Sequence, residues 1–293
     1  MNVALLERDI QPSVAGAILS GETGLPASDV LGRIGNLEVR LARDAAEIAA
    51  AQQVRYRVFY DELGARTPSF QALDRHDADR FDDVCDHMLV FDQSLAGPPE
   101  HRIVGTYRLL RQETADAAGG FYTEDEFELT KLIARHPGQR FLELGRSCVL
   151  PQYRSKRTIE VLWQGIWAYV NRHRVDVMTG CASFPGTVPA FHAEALSFLS
   201  QNFRTAPDWD VRAVAGRYCS MDLMPGEALS MKAALAAMPP LIKGYLRLGA
   251  KVGDGCVIDS DFGTVDICIV MPVKEIASRY IAYYGAEAER FAA

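Results

Sequence analysis

Residues 141–163 read FLELGRSCVLPQYRSKRTIEVLW. A strand-like run over 140–150 breaks at Pro151, and a basic knot of Arg154, Ser155, Lys156 and Arg157 follows. From Ile159 the apolar positions Leu162, Trp163, Ile166, Tyr169 and Val170 keep a helical period, so a helix starts at the knot. VDVMTGCAS (175–183) reads as the next strand, which completes a strand-helix-strand unit. The first turn of a helix offers unpaired N–H groups and partial positive charge, and so favours anions, phosphates above all. Cations there oppose the dipole at about 0.3–1 kcal/mol each when exposed. Three of them, with Ser155 as a cap, point to an anionic ligand: a phosphate cradle, with a solvated basic turn as the plain alternative.

The rest of the chain bounds what that ligand serves. Its 293 residues are 48% hydrophobic, enough for one large core, and the net charge of -7 argues against broad nucleic-acid binding. No apolar run approaches the roughly 20 residues of a membrane-spanning helix. The first stretch lacks the basic start and apolar centre of a secretion signal. Six scattered cysteines, without zinc spacing, fit a reduced cytoplasmic setting and name no metal ligands. Glycines at 16, 21, 24, 32 and 35 break any period, so residues 1–36 are expected to be a mobile arm before one domain at 37–293.

Leu37, Val39 and Leu41 alternate as a strand, and Asp44 with Glu47 resembles a capping box for a helix to about Leu63. MLVFD (88–92) and RIVGTYRLLR (102–111) read as strands joined across GPPEH. Thr123 with Glu126 is a second capping box, for a helix to about Arg135. A helix at about 188–201, a strand near 211–223, helical runs near 227–249, a strand at 264–271 and a last helix from Val273 complete the pattern. The fold class is α/β (α+β), one domain with an extended C-terminal part from about residue 225.

The strand, the V-x-P-x-Y-R sequence and the basic loop before a helix resemble the donor motif of the GCN5-related N-acyltransferase fold. That resemblance implies a central, mixed, mostly antiparallel sheet flanked by helices. The family's glycine loop for coenzyme A pyrophosphate is replaced here by Arg154-Ser-Lys-Arg157-Thr-Ile159. The change suits a single phosphodiester, the phosphopantetheine arm of acyl carrier protein. A second resemblance, to autoinducer synthases, rests on R-x-x-x-F at Arg55 and Phe59, D-x-x-D at Asp79 and Asp82, G-T-x-R-L at 105–109 with Arg108, and E-x-x-R at Glu143 and Arg146. Arg55 lies on an apolar helix stripe, so it needs buried partners, and the aspartates of loop 74–86 are at hand. The same set also reads as an ion-pair network clamping the helix to the sheet.

After residue 150 the chain resembles another branch, the ornithine N-acyltransferases. MTGCASFPGTVP (178–189), PPLIKGYLRLGAKVGDGC (239–256) and DICIVMPV (266–273) carry this likeness, which covers about residues 37–285. It implies transfer of a 3-hydroxyacyl group from acyl carrier protein to the α-amine of L-ornithine, with no bound cofactor and no metal. Lysine or glycine as acceptor, and a non-catalytic module binding acylated carrier protein, are the alternatives. Glu143 is the candidate base, with an ion pair to Arg146 as its competing role. Backbone N–H groups near a bulge in 143–150, where Gly145 permits close approach, would hold the oxyanion. Arg55, Phe59, Asp79, Asp82 and Arg108 would shape the acceptor site. His192 reads as a surface histidine, and Ser147 and Cys148 lack a base nearby, which disfavours a covalent route. Trp163, Trp167, Phe184 and Phe191 fit either an acyl tunnel or plain core. The basic amphipathic run at 239–250 fits peripheral contact with the inner membrane, or packing on the domain.

Overall fold

The computed structural model describes residues 29–66, 73–276 and 280. The quoted stretch forms strand β5 (Phe141–Val149), a 3₁₀ turn at Pro151–Tyr153 and an 18-residue helix, Lys156–His173. Ser155 caps that helix by accepting from the Thr158 N–H at 3.3 Å. Around it lie β1 (Val30–Ile34), β2 (Leu37–Leu41), β3 (Asp86–Asp92), β4 (Ile103–Arg111), β6 (Val177–Pro185), β7 (Lys251–Asp259) and β8 (Thr264–Pro272). The strands make one sheet in the order β1-β2-β3-β4-β5-β6-β8-β7. Among the described strands, only β5 and β6 pair in parallel. The helices are α1 (Ala45–Tyr56), α2 (Gln112–Ala118), α3 (Leu129–Arg135), α4 (Lys156–His173), α5 (Ala193–Asn202), α6 (Met231–Ala237) and α7 (Pro240–Leu248), beside a single turn at Pro99–Arg102.

Both faces of the sheet are covered. Val161, Trp163, Ile166 and Tyr169 of α4 pack with Val39, Met88, Leu142 and Phe184 on one face. Phe121, Phe127, Leu132 and Val211 meet Phe141, Val177 and Val270 on the other. Each such side chain, fully buried, contributes about 1.5–3 kcal/mol before entropy is counted. Trp163, Trp167 and Phe184 are therefore core, while Phe191 is 83% exposed.

The pairing of β5 with β6 is short: Phe141 to Glu143 against Val177 to Thr179. Two features mark the point where the strands part. Gly180 (φ +151°) lies against the Leu144 carbonyl, which would stand 2.5 Å from any Cβ at that position. On the other edge, β5 bulges against β4 between the pairs Thr106–Cys148 and Arg108–Gly145, with Arg146 in the left-handed region at φ +48°. Beyond Gly180, β6 stays with β8 as far as Pro185, so β5 and β6 diverge and a cavity opens between them. Gly180→Ala is expected to cost roughly 2 kcal/mol or more, because the clash is with backbone that cannot swing away. Urea unfolding would measure it, and a loss near zero would show that the junction adapts.

Several expectations need correction. Of the arm expected over 1–36, residues 1–28 lie outside the described residues, and Val30–Ile34 pairs with β2 as a strand. Thr123 caps no helix; Tyr122–Asp125 is a 3₁₀ turn, and the Thr123 side chain bonds elsewhere. The region 211–223 makes only isolated bridges, Arg212 to Asp254, Ala213 to Phe127 and Cys219 to Cys256. The last helix begins as a 3₁₀ turn, Val273–Glu275, and most of its expected course lies outside the described residues. Half of the capping box at Asp44 is present: its carboxylate accepts from the Glu47 N–H at 2.9 Å, while the Glu47 carboxylate accepts from the Arg43 N–H, one residue earlier than the box requires. The helix it opens ends as α1 at Tyr56 and continues as a π-helical turn, Arg57–Glu62.

Candidate active site

The cavity between β5 and β6 encloses about 310 Å³. Glu143, Gly145, Arg146 and Ser147 line it from β5, Cys181 and Ser183 from β6, and Phe59 and Leu63 from the π turn and its end. Leu241 and Tyr245 of α7 close the apolar side. Gly145 carries no strain; a Cβ there would meet nothing within 4 Å and would project into open space. The bulge falls on Arg146 instead.

Beneath the cavity lies a network of three arginines and three aspartates. Arg55, at the end of α1, is fully buried at 0% exposure. Its Nε donates to Asp77 Oδ2 at 2.7 Å, and its Nη2 to Asp82 Oδ2 at 2.9 Å. Arg108 of β4 donates to Asp79, whose carboxylate Arg146 also reaches at 2.9 Å. Arg146 Nε further contacts Asp77 Oδ2 at 3.2 Å. The charges of Arg108 and Arg146 hold the Asp79 carboxyl below its ordinary range against the opposing effect of burial. The Arg146 guanidinium sits between the rings of Tyr122 and Phe262, at 4.8 and 4.5 Å from their centroids. Phe59 meets Phe262 edge-on at 5.7 Å. The sequence set Arg55, Phe59, Asp79, Asp82, Arg108 and Arg146 thus comes together, with Asp77 as its centre.

Glu143 makes no hydrogen bond to that network, although the charge of Arg108 reaches it, and no ion pair joins it to Arg146. It accepts from the N–H groups of Tyr122 (3.0 Å) and Thr123 (2.7 Å), and from the Thr123 hydroxyl. Burial raises its pKa, and these hydrogen bonds only partly oppose the rise. A carboxylate offers about four lone-pair sites, so one is left for a proton from substrate.

A second acidic group was not foreseen. Carboxylate oxygens of Glu126, Asp259 and Asp266 lie within 4.8 Å of one another, all three residues buried. Among the described residues this is the group able to hold a cation. Asp259 and Asp266 line the cavity. Asp266 interrupts the apolar run TVDICIVM, and a lone carboxylate in such a strand was the available signal. Burial, then the charge of Asp266, pushes Glu126 up to about 7, and burial pushes Asp266 up to about 6. Both lie above the unfolded-chain values near 4, so the native state holds the extra protons between about pH 4 and 7. Stability from these groups is therefore lost as pH rises through that window. The thermal midpoint of the wild-type chain, compared with that of Glu126→Gln, should fall between about pH 5 and 7.5. A difference that does not change with pH would refute the shift.

The basic knot is exposed at the start of α4. Arg154 is not free: it pairs with both oxygens of Glu62 at 2.6 and 2.7 Å and donates to the Val149 carbonyl at 3.0 Å. Lys156 contacts Glu160 at 3.6 Å. Glu62 precedes Leu63, so the knot adjoins the cavity wall. Cys148 is buried, and burial pushes its thiol up to about 12, which keeps it protonated. Ser147 neighbours Tyr107, whose hydroxyl lies 3.2 Å from that of Tyr245. His192 is half-buried against the Pro185 carbonyl at 2.7 Å and does not line the cavity. Ile242, Tyr245, Leu246 and Leu248 of α7 are buried against the domain. Within the described residues no helix is long and apolar enough to cross a membrane.

A diverging parallel strand pair with a capped helix beside it is the architecture of an N-acyltransferase, and residues 54–164 match the acetyltransferase (GNAT) domain family. The chain is 60% identical to the L-ornithine N(alpha)-acyltransferase of Brucella abortus, over 89% of this chain and 93% of that protein. It is 56% identical to the enzyme of the same name from Rhizobium meliloti, over 99% and 98%. An N-acyl amino acid synthase from uncultured soil microbes is similar with a TM-score of 0.47 at 12% identity, over 82% of this chain and 92% of that one. The chain belongs to the L-ornithine N(alpha)-acyltransferase family.

Proposed function

We propose that the enzyme moves a 3-hydroxyacyl group from the phosphopantetheine thioester of acyl carrier protein to the α-amine of L-ornithine, giving lyso-ornithine lipid. The observation that carries this reading is the cavity at the β5–β6 divergence, with the buried carboxylate of Glu143 on the β5 side of its wall. The acceptor is supported by the names of the relatives. The thioester lies in the divergence, where residues 144–147 of β5 have no β6 partner, so an N–H group there that faces away from β4 can hold an oxyanion. Glu143 takes a proton from the ornithine α-ammonium, the amine attacks the thioester carbon, and the tetrahedral intermediate expels the thiolate. The thiolate takes up a proton, and one proton in all is released per amide formed. Arg146, paired with Asp77 and Asp79, acts as a positioning residue for the acceptor side rather than as Glu143's partner.

The exposed knot supplies the carrier-protein side. Acyl carrier protein is acidic, so Arg154, Lys156 and Arg157 attract it, and Ser155 with the first turn of α4 meets the phosphodiester. Arg154→Ala with Arg157→Ala is expected to weaken carrier-protein binding about tenfold, with the deficit shrinking as salt is added. Glu62→Gln separates the two roles of Arg154: if it alone reproduces the loss, the clamp on Glu62 matters and direct contact does not. The decisive test of the function is a mass-spectrometric acceptor screen. Purified enzyme is given 3-hydroxyacyl carrier protein, the matching coenzyme A thioester in parallel, and mixed amino acids. N-acylornithine from the carrier-protein donor is expected. Acylation of lysine or glycine instead would replace the acceptor, and no amide from either donor would overturn the reading.

A further inference from the structure

We infer that Glu126, Asp259 and Asp266 form the subsite for the side-chain ammonium of the acceptor and set its specificity. This rests on the reading that ornithine is the acceptor. Two observations point to a ligand here. The three carboxylates converge within 4.8 Å of one another, with Asp259 and Asp266 on the cavity wall. Asp266 is only 6% exposed, yet its Oδ1 has no hydrogen-bond partner among the described residues. A buried, unmatched carboxylate oxygen costs folding free energy unless a donor arrives.

The remaining valences select an ammonium. Arg217 already donates to Glu126 Oε1 at 3.1 Å. Asp259 Oδ1 is taken by the N–H groups of Asp261 and Phe262 at 2.8 and 3.0 Å. Glu126 Oε2 receives only the weak Cys181 S–H donor at 3.3 Å, which an ammonium outcompetes, so with the second oxygen of Asp259 and Asp266 Oδ1 it offers three acceptors. A primary ammonium has three donors, whereas hard divalent cations take six or more oxygens. Cys181 and the hydroxyls of Ser183 and Thr264 are the other polar groups facing the trio.

The spacing fits a diamine. The Thr123 hydroxyl donates to Glu143 and lies 3.6 Å from Cys181 Sγ, which lies 3.3 Å from Glu126 Oε2. Glu143 and the trio are thus two side chains apart on one cavity wall. An amino acid with its α-amine at Glu143 can place a second amine, a few methylenes away, among the three carboxylates.

The test compares kcat/KM for ornithine with that for 2-aminopentanoate, which has the same carbon chain and no terminal nitrogen. The wild-type enzyme should favour ornithine by about a hundredfold or more, since the analogue leaves buried acceptors unmatched. Asp266→Asn and Glu126→Gln should each cut that ratio at least about tenfold. A ratio unchanged in both variants, with ornithine still acylated, would overturn the subsite and leave the function standing. No acylation of ornithine by the wild type would remove the function itself. Thermal shift gives a second readout that needs no donor. Ornithine, and not 2-aminopentanoate, should raise the midpoint of the wild type and fail to raise that of Asp266→Asn. A midpoint raised instead by Mg²⁺ or Ca²⁺ and indifferent to ornithine would assign the trio to a metal.

Discussion

Replacing Glu143 by glutamine should lower kcat by roughly a hundred- to ten-thousandfold, the contribution usual for a positioned general base. The loss is expected in kcat more than in the KM for ornithine, because a proton acceptor acts only as the reaction proceeds. The wild-type pH profile should carry the same signature. Burial raises the Glu143 pKa, so the acid limb of kcat/KM falls at a higher pH than an exposed glutamate would give. Below that pKa the carboxyl is protonated and activity is lost; above it the base is available. The substitution also has a structural cost. Tyr122 and Thr123 aim backbone N–H groups at the two carboxylate oxygens, and the amide nitrogen must face one of them. An unmatched buried donor costs about 1–3 kcal/mol, so the thermal midpoint must be followed alongside the rate. A rate unchanged in a folded variant would make Glu143 an anchor for the 122–123 turn and nothing more.

Arg55→Met should be the most destabilising single change in the network. The arginine is fully buried, and its removal leaves Asp77 and Asp82 without their shared cation. Breaking a buried pair from one side costs about 3–5 kcal/mol, a large share of the 5–15 kcal/mol that holds a typical domain together. Arg55→Lys should recover little, since one ammonium cannot span two carboxylates and the Asp77 carbonyl in a flat fork. The triple change Arg55→Met, Asp77→Asn, Asp82→Asn removes the stranded charges together and should regain stability relative to the single variant. Urea midpoints would decide it. A single variant within about 1 kcal/mol of the wild type would mean that water reaches the site and solvates the aspartates.

The fold was legible where one physical signal dominated. The basic knot between strand and helix sits where the period change put it, and Arg55 on an apolar stripe demanded the acidic loop that meets it. Other parts depended on contacts distant in sequence. The partner of Glu143 is a pair of backbone N–H groups at 122–123, which carry no side-chain signature. Arg146 stands three residues from Glu143, but the bulge turns it to Asp77 and Asp79. Strand β7 was hidden because Gly253 and Gly255 dilute its pattern; they are needed where Val211 and Tyr218 press against it. The run at 211–223 has strand-like composition, yet it crosses β7 through single bridges and never joins the ladder.

The arginine–aspartate network also bears on how the chain reaches its native state. The loop that supplies Asp77, Asp79 and Asp82 is gripped from α1, β4 and β5, across sequence separations of 22, 29 and 69 residues. Each grip is worth little until the others are in place, because an aspartate drawn out of water beside one arginine alone is poorly repaid. The loop therefore cannot lock until the third of these elements, β5, arrives, and long loops must close first, which slows the search. Refolding followed by the burial of Phe81, inside this loop, should report the same late step as refolding followed at Arg146's neighbour Tyr122. Acceptor site and tertiary structure would then mature together, leaving no stage at which a partly folded chain presents a usable pocket.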